Sequence, residues 1–252
     1  MSDYIVYDVK KRKGYFMQPT IITLDKLFIA GLTGDGNKTG EVWGEAENLY
    51  DKKPFKKSDD NGYEIRFFDG EKPATPGKDI HVGFLNEIAL DNGNLSTIAL
   101  PAGEYAVFEV FVAKGYDSGN AEMDKWLEDN SAQYGQSAID GVHYVVECYK
   151  DEKFKGGDKP DSIVEIWIPL YRFCQSCYMA MPTIDKRGTE ANGNPNQDYC
   201  CYCYKNGDFA TKQTLEEAVE GNIQFWRDGC KNDDEARARI MAVFPKLKRW
   251  AK

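Results

Sequence analysis

A chain of 252 residues exceeds the roughly 100–150 residues of an average domain and predicts one large or two modest domains. Its formal charge of −9 and its pI of about 4.9 oppose a phosphate backbone, which argues against nucleic acid as a partner unless a local basic patch exists. No run approaches the roughly twenty apolar residues of a membrane span, and the charged N-terminus "MSDYIVYDVKKRKGYF" lacks a secretory pattern, so a cytoplasmic protein without membrane contact is expected.

In chain order, "TIITLDKLFIAGLTG" (20–34) is β-branched and apolar before its glycines, and predicts a strand leaving into a turn. In "EVWGEAENLYDK" (41–52), Val42, Ala46 and Leu49 fall at helical spacing beside Trp43 and Tyr50, the pattern of an amphipathic helix. Strands are predicted at "YEIRFFD" (63–69) and "DIHVGFLNEIAL" (79–90), with a proline-containing loop between them. The same order then recurs. "STIALPAGEYAVFEVFVA" (96–113) is strand-rich, "NAEMDKWLEDNSAQYG" (120–135) sets Met123, Trp126 and Leu127 on one helical face, and "GVHYVVECYKD" (141–151) and "SIVEIWIPL" (162–170) read as two strands. Two successive βαββ units predict an α+β fold made by internal duplication, with an antiparallel sheet, helices on one face and a groove on the other.

After Leu170 the composition changes, which places a boundary near Tyr171 and divides the chain into 1–171 and 172–252. The stretch from Cys174 to Gly207 is rich in Gly, Asn and Asp, too poor in apolar residues to fold on a core alone, and needs a staple. Beyond it, Thr214 and Glu217 form the capping-box pattern of a helix start. A further helix sets Ala236, Ile240 and Phe244 on one face and stops at Pro245. The short basic runs "KKRK" (10–13), "KKPFKK" (52–57) and "KLKRW" (246–250) lie far apart and read as solvated faces.

Cys174 and Cys177 form one C-x-x-C pair, and Cys200 and Cys203 form a second. Two such knuckles close the four-coordinate shell that structural Zn²⁺ favours; free thiols, an iron–sulfur centre or a redox pair are the alternatives. A shell of four thiolates leaves no open position for an activated water, so the expected role is structural. Cys201 has the wrong spacing and points elsewhere, Cys148 alternates with Val142, Tyr144 and Val146 as a small buried hydrophobe, and Cys230 has no assigned role. Through "CQSCYMAMP", "GTEANGNPNQDYCCYCYKNGDF", "TLEEAVE" and "FPKLKRW", residues 172–251 resemble a bacterial zinc-ribbon family. They depart from it where Tyr178 and Ala180 stand in place of a commoner Gly-Met-Pro-Met continuation. The resemblance implies zinc and a fold, and no activity.

Strand alternation puts Glu147 on the face of His143, Val145 and Tyr149, and puts Glu165 with Trp167 on one face of the last strand. Carboxylates alternating with large aromatics suit a flat cationic ligand, and equally suit a sheet whose glutamates face water. The duplicated order, with "LPAGEYAVFEV", "VHYVVECY" and "VEIWIPL", resembles the gyrase-inhibitor-like (GyrI-like) family of small-molecule-binding domains, which also serve as effector domains of some transcription regulators. The resemblance covers about residues 1–170. It implies that Glu147 lies at the floor of an aromatic pocket for cationic, drug-like molecules, with Glu165 and Trp167 matching an acidic-x-aromatic motif. Tyr149, Tyr105, Phe84 and Trp43 are further expected lining residues, each equally suited to a core.

Three functions follow as expectations. The first is a stand-alone binder or sensor of an aromatic or cationic small molecule. The second, implied by hydrolytic members of the same family, is a hydrolase of reactive cyclopropane-bearing compounds with Glu147 as general base. The third is an adaptor that recruits a protein partner through the zinc ribbon.

Overall fold

A computed structural model describes residues 18–52, 54–70, 72–90, 95–115 and 117–251. The N-terminal segment read for a leader and the "KKRK" run lie outside the described residues. The first predicted strand is two: β1 (Thr20–Leu24) and β2 (Leu27–Gly34), broken at Asp25 and Lys26. Helix α1 (Thr39–Lys52) follows, then β3 (Lys57–Asp69), the short β4 (Lys72–Pro73) and β5 (Ile80–Asn86). The second unit repeats the plan. It has a leading strand β6 (Ser96–Leu100), then β7 (Gly103–Phe111), α2 (Asp117–Asp129), two short strands β8 (Tyr134–Gln136) and β9 (Ala138–Ile139), β10 (Val142–Tyr149) and β11 (Ile163–Phe173).

The main sheet runs β1-β7-β11-β10-β3-β5-β2-β6 and is antiparallel throughout. Exchanging the two units leaves this order unchanged, so the duplication is a pseudo-twofold whose axis passes between β3 and β10. The leading strands are exchanged: β1 of the first unit pairs with β7 of the second, and β6 of the second pairs with β2 of the first.

Both helices lie on one face. There Val42, Trp43 and Ala46 of α1 pack on Leu32, Ile80 and Val82, and Met123, Trp126 and Leu127 of α2 pack on Phe108, Val164 and Ile166. Trp126 meets Phe108 edge-on at 5.7 Å and stacks on Tyr134. Burying a side chain of this size contributes about 1.5–3 kcal/mol.

The other face does not form the expected groove. Tyr63, Tyr105, Tyr144, Cys148 and Trp167 fill it, together with Ile22, Leu24, Ile98 and Leu100 from the outermost strands β1 and β6, so the sheet curls over its own second core. The curl is tightest between β2 and β5, where Gly31 and Gly83 face each other: a Cβ on Gly31 would stand 1.8 Å from the Val82 carbonyl oxygen. Only glycine permits that approach. Among the described residues, no helix is long and apolar enough to cross a membrane.

β11 runs unbroken past Tyr171 to Phe173 and leads directly into Cys174. Beyond it come β12 (Ala180–Met181), which pairs with the end of β11, and the hairpins β13 (Arg187–Thr189) with β14 (Pro195–Cys200) and β15 (Tyr204–Lys205) with β16 (Asp208–Phe209). Helices α3 (Leu215–Trp226) and α4 (Asp233–Val243) close the chain. Thr214 and Glu217 form the expected reciprocal capping box, and Ala236, Ile240 and Phe244 are fully buried between the helices.

Candidate functional site: an acidic pair under the helices and a four-thiol cluster

The register of β3 on β10 sets Glu64 directly opposite Glu147, at the pseudo-twofold axis and on the helix side of the sheet. Glu64 is 0% and Glu147 6% exposed. Two buried carboxylates side by side repel each other, and Arg66 relieves them. Its Nε donates to Glu147 Oε1 at 2.6 Å, and its Nη2 lies 2.5 Å from Glu64 Oε1, a charge contact without hydrogen-bond alignment. Nη2 also donates to Thr39 Oγ1 at the start of α1.

Tyr149 donates its hydroxyl proton to Glu147 Oε2 at 2.6 Å, and Trp43 Nε1 donates to Glu64 Oε2 at 2.9 Å. Burial, helped by Glu147, pushes the Glu64 carboxyl above its ordinary range; Arg66 and the Trp43 hydrogen bond pull it back only in part. For Arg66 the two carboxylates outweigh burial and raise the guanidinium further, so it stays charged.

Beside this triad, between α2 and the sheet, lies a cavity of ≈ 590 Å³. Met123, Leu127, Val145 and Ile166 give it apolar walls, and Arg66, Lys72, Asp79, Asp124 and Glu147 line it with charge. On the α1 side of Glu147 the expected aromatics join ring to ring: Tyr149 meets Trp43 at 5.7 Å, and Trp43 meets Phe84 at 6.1 Å. The structure therefore brings Glu147, Tyr149, Trp43 and Phe84 together.

It separates Glu165, Trp167 and Tyr105 from them. Glu165 pairs with Cys148 and Trp167 with Val146, one residue out of phase with Glu147, so both point to the opposite face of the sheet. There Trp167 packs against Tyr63 and Tyr105, and its Nε1 donates to Glu165 Oε2. Tyr105 donates its hydroxyl proton to the Pro101 carbonyl and is 1% exposed. Burial pushes Glu165 up, but hydrogen bonds from Lys153, Lys150 and Trp167 outweigh it and hold the carboxyl below its usual range. These three residues buttress the second core.

Glu64 and Arg66 are the site residues that sequence reasoning missed. A signal for them exists: Trp126 follows Trp43 by the same number of positions as Glu147 follows Glu64, so superposing the two repeats lays one glutamate on the other.

The sulfurs of Cys174, Cys177, Cys200 and Cys203 all lie within 4.8 Å of one another, and Cys177 and Cys200 are 3.7 Å apart. A tetrahedron with metal–sulfur bonds of about 2.3 Å has edges of about 3.8 Å, so the donor set fits zinc in type and size. The knuckles are shaped by backbone bonds from Tyr178 N to the Cys174 carbonyl and from Cys203 N to the Cys200 carbonyl. Cys201 lies outside the cluster, its N–H bonded to the Lys186 carbonyl.

Tyr178 holds φ +63°, a left-handed conformation that glycine would adopt at little cost. Its ring stacks on Phe173 at 4.1 Å, and its hydroxyl donates to the Ser131 carbonyl just beyond α2. The residue that departs from the ribbon pattern thus ties the knuckle to the sheet domain. The run "KLKRW" is not a free basic face. Lys248 pairs with Asp198, Arg249 donates to Ser176 Oγ, and Trp250 Nε1 donates to the Ser176 carbonyl.

Residues 173–251 match the family model described as "Putative zinc ribbon domain". Among solved structures, the chain is similar to EcmrR in a cryo-EM structure of an EcmrR–DNA complex, with a TM-score of 0.50 and 14% identity over 64% of this chain and 60% of that one. It is also similar to the EcmrR C-terminal domain (TM-score 0.45, 15% identity, 61% of this chain and 97% of that one). A third similar structure is SAV2435 bound to tetraphenylphosphonium (TM-score 0.42, 20% identity, 61% and 94%). No curated protein matches. The likeness to EcmrR in the DNA complex is one of fold.

Proposed function

We propose that residues up to about 171 bind a small aromatic, cationic, drug-like molecule on the helix side of the sheet, as a sensor or scavenger. Glu147 supplies the counter-charge and Met123, Leu127, Val145 and Ile166 the apolar area, with the rings of Tyr149, Trp43 and Phe84 on its other side, toward α1. The observation that carries this reading is the ≈ 590 Å³ cavity with apolar walls and Glu147 in its lining. Among the lining residues, Asp79, Asp124 and Glu147 stand against Arg66 and Lys72, a balance that favours a cation.

Binding is favoured over hydrolysis because Arg66 and Tyr149 each hold one oxygen of Glu147, which fixes the carboxylate in place as a counter-charge. The four cysteines hold a structural Zn²⁺, which supplies the staple that the polar ribbon lacks. The bond from Tyr178 to Ser131 supports a ribbon docked on its own sheet domain, and the pairing of "KLKRW" within the ribbon leaves less basic surface for nucleic acid.

The test is a thermal-shift screen of the zinc-loaded protein against aromatic cations, tetraphenylphosphonium included, with the ligand recovered and weighed by mass spectrometry. At a hundred times Kd a native-state ligand adds about 2.7 kcal/mol. A shift with intact ligand, absent in a folded Glu147→Gln variant, is the expected result; accumulating product would instead establish the hydrolase.

A further inference from the structure

The run "KKPFKK" reads as solvated, yet its last lysine is not. Lys57 Nζ lies 3.4 Å from the Phe84 ring centroid and 4.0 Å from that of Tyr50. Tyr50 stands two turns after Trp43 on α1, packs on Phe84 at 5.2 Å and meets Phe55 edge-on at 5.2 Å. Phe84 in turn touches Trp43, which bonds to Glu64, so the aromatic cage is continuous ring by ring with the acidic pair.

The lysine arrives there through a break in the sheet. Pairing of β3 with β5 passes from Lys57–Asn86 directly to Gly62–Phe84, so residues 58–61 bulge out between them. An ammonium between two ring faces, partly withdrawn from water, has the environment that aromatic cages provide for ligand cations. Desolvation lowers the Lys57 pKa, against the attraction of Asp60, Glu47, Asp51 and Asp59 nearby.

We propose that Tyr50 and Phe84 form a cation subsite beside α1, and that Lys57 is its tethered occupant, displaced when an aromatic cation binds. This rests on the cation-binding reading above and sharpens its specificity. A group on a short tether acts at an effective concentration of about millimolar, so small ammonium ions with little ring area are outcompeted, and a ligand that also covers Trp43 is not.

The test uses rhodamine 6G and the full chain, with fluorescence polarisation of the wild type, Lys57→Gln and Lys57→Arg, and NMR of the Lys57 ε-methylene in the wild type. Ring currents shift that resonance while the cage holds the lysine. The expected result is about tenfold tighter binding by Lys57→Gln, or about 1.4 kcal/mol, near-wild-type binding by Lys57→Arg, and movement of the ε-methylene toward the free-lysine position at saturation. Glu147-dependent binding with an unmoved resonance and no gain in Lys57→Gln overturns the subsite and leaves the cation-binding reading standing. No dye binding by either the wild type or Lys57→Gln overturns both.

Discussion

Arg66 is one side chain set against two buried carboxylates, and that arithmetic governs the site. Removing one partner of a buried charge cluster leaves the others uncompensated and destabilises by about 3–5 kcal/mol. Arg66 keeps 35% of its side chain exposed, so the lower end applies. Urea denaturation of Arg66→Met is expected to show a loss of about 3 kcal/mol, partly restored by adding Glu64→Gln; a loss below about 1 kcal/mol would mean that water already screens the pair.

His81 makes a second residue-scale prediction. Its Nε2 donates to the Ile29 carbonyl, Thr33 Oγ1 bonds to Nδ1, and burial pushes the imidazole from 6.5 down to about 4. Because the unfolded chain takes up the proton first, stability is complete above pH 6.5 and falls progressively toward pH 4, by on the order of 3 kcal/mol for this group. His81→Gln is expected to flatten that part of the pH–stability curve measured by thermal melting; an unchanged slope contradicts it.

Alternation along one strand put Glu147 on the face of Tyr149, and the resemblance to the gyrase-inhibitor-like family singled it out. Arg66, Glu64 and Lys57 were not legible, because their roles arise from pairing between distant strands and from packing under α1, and a charged residue in isolation reads as solvated.

At the scale of elements, the cysteine knuckles were the most legible part, since C-x-x-C spacing constrains a short loop whatever surrounds it. The expected zinc content, measured by plasma emission, is one ion per chain in the wild type and in Cys201→Ser, with loss in Cys177→Ser. Zinc retained by Cys177→Ser, or lost with Cys201→Ser, would reassign the ligands. The positions of the helices and the capping box were also legible, from local periodicity.

The leading strands were harder. In "TIITLDKLFIAGLTG" the charged pair Asp25-Lys26 marks the break but is short enough to read as part of one strand, and the partner of β1 lies in the other repeat. The unbroken run of β11 into Cys174 was hidden by the change in composition at Tyr171, which marks where the core ends rather than where the strand does.

For the whole molecule, the duplication was visible but the face that the helices cover was not. Both faces of the sheet carry large apolar residues, so alternation alone does not say which is covered by helices and which by the curl of the sheet. The pseudo-twofold resolves it. Glu64 and Glu147 meet at its axis beneath the helices, while Glu165 and Trp167 fall on the filled side. The account therefore stands or falls on which glutamate a ligand feels. Calorimetric titration of tetraphenylphosphonium into the wild type, Glu147→Gln and Glu165→Gln should show affinity at least about tenfold weaker for Glu147→Gln, a difference of about 1.4 kcal/mol, and little change for Glu165→Gln. Loss of binding in Glu165→Gln with Glu147→Gln unaffected would place the ligand on the other face and contradict the account.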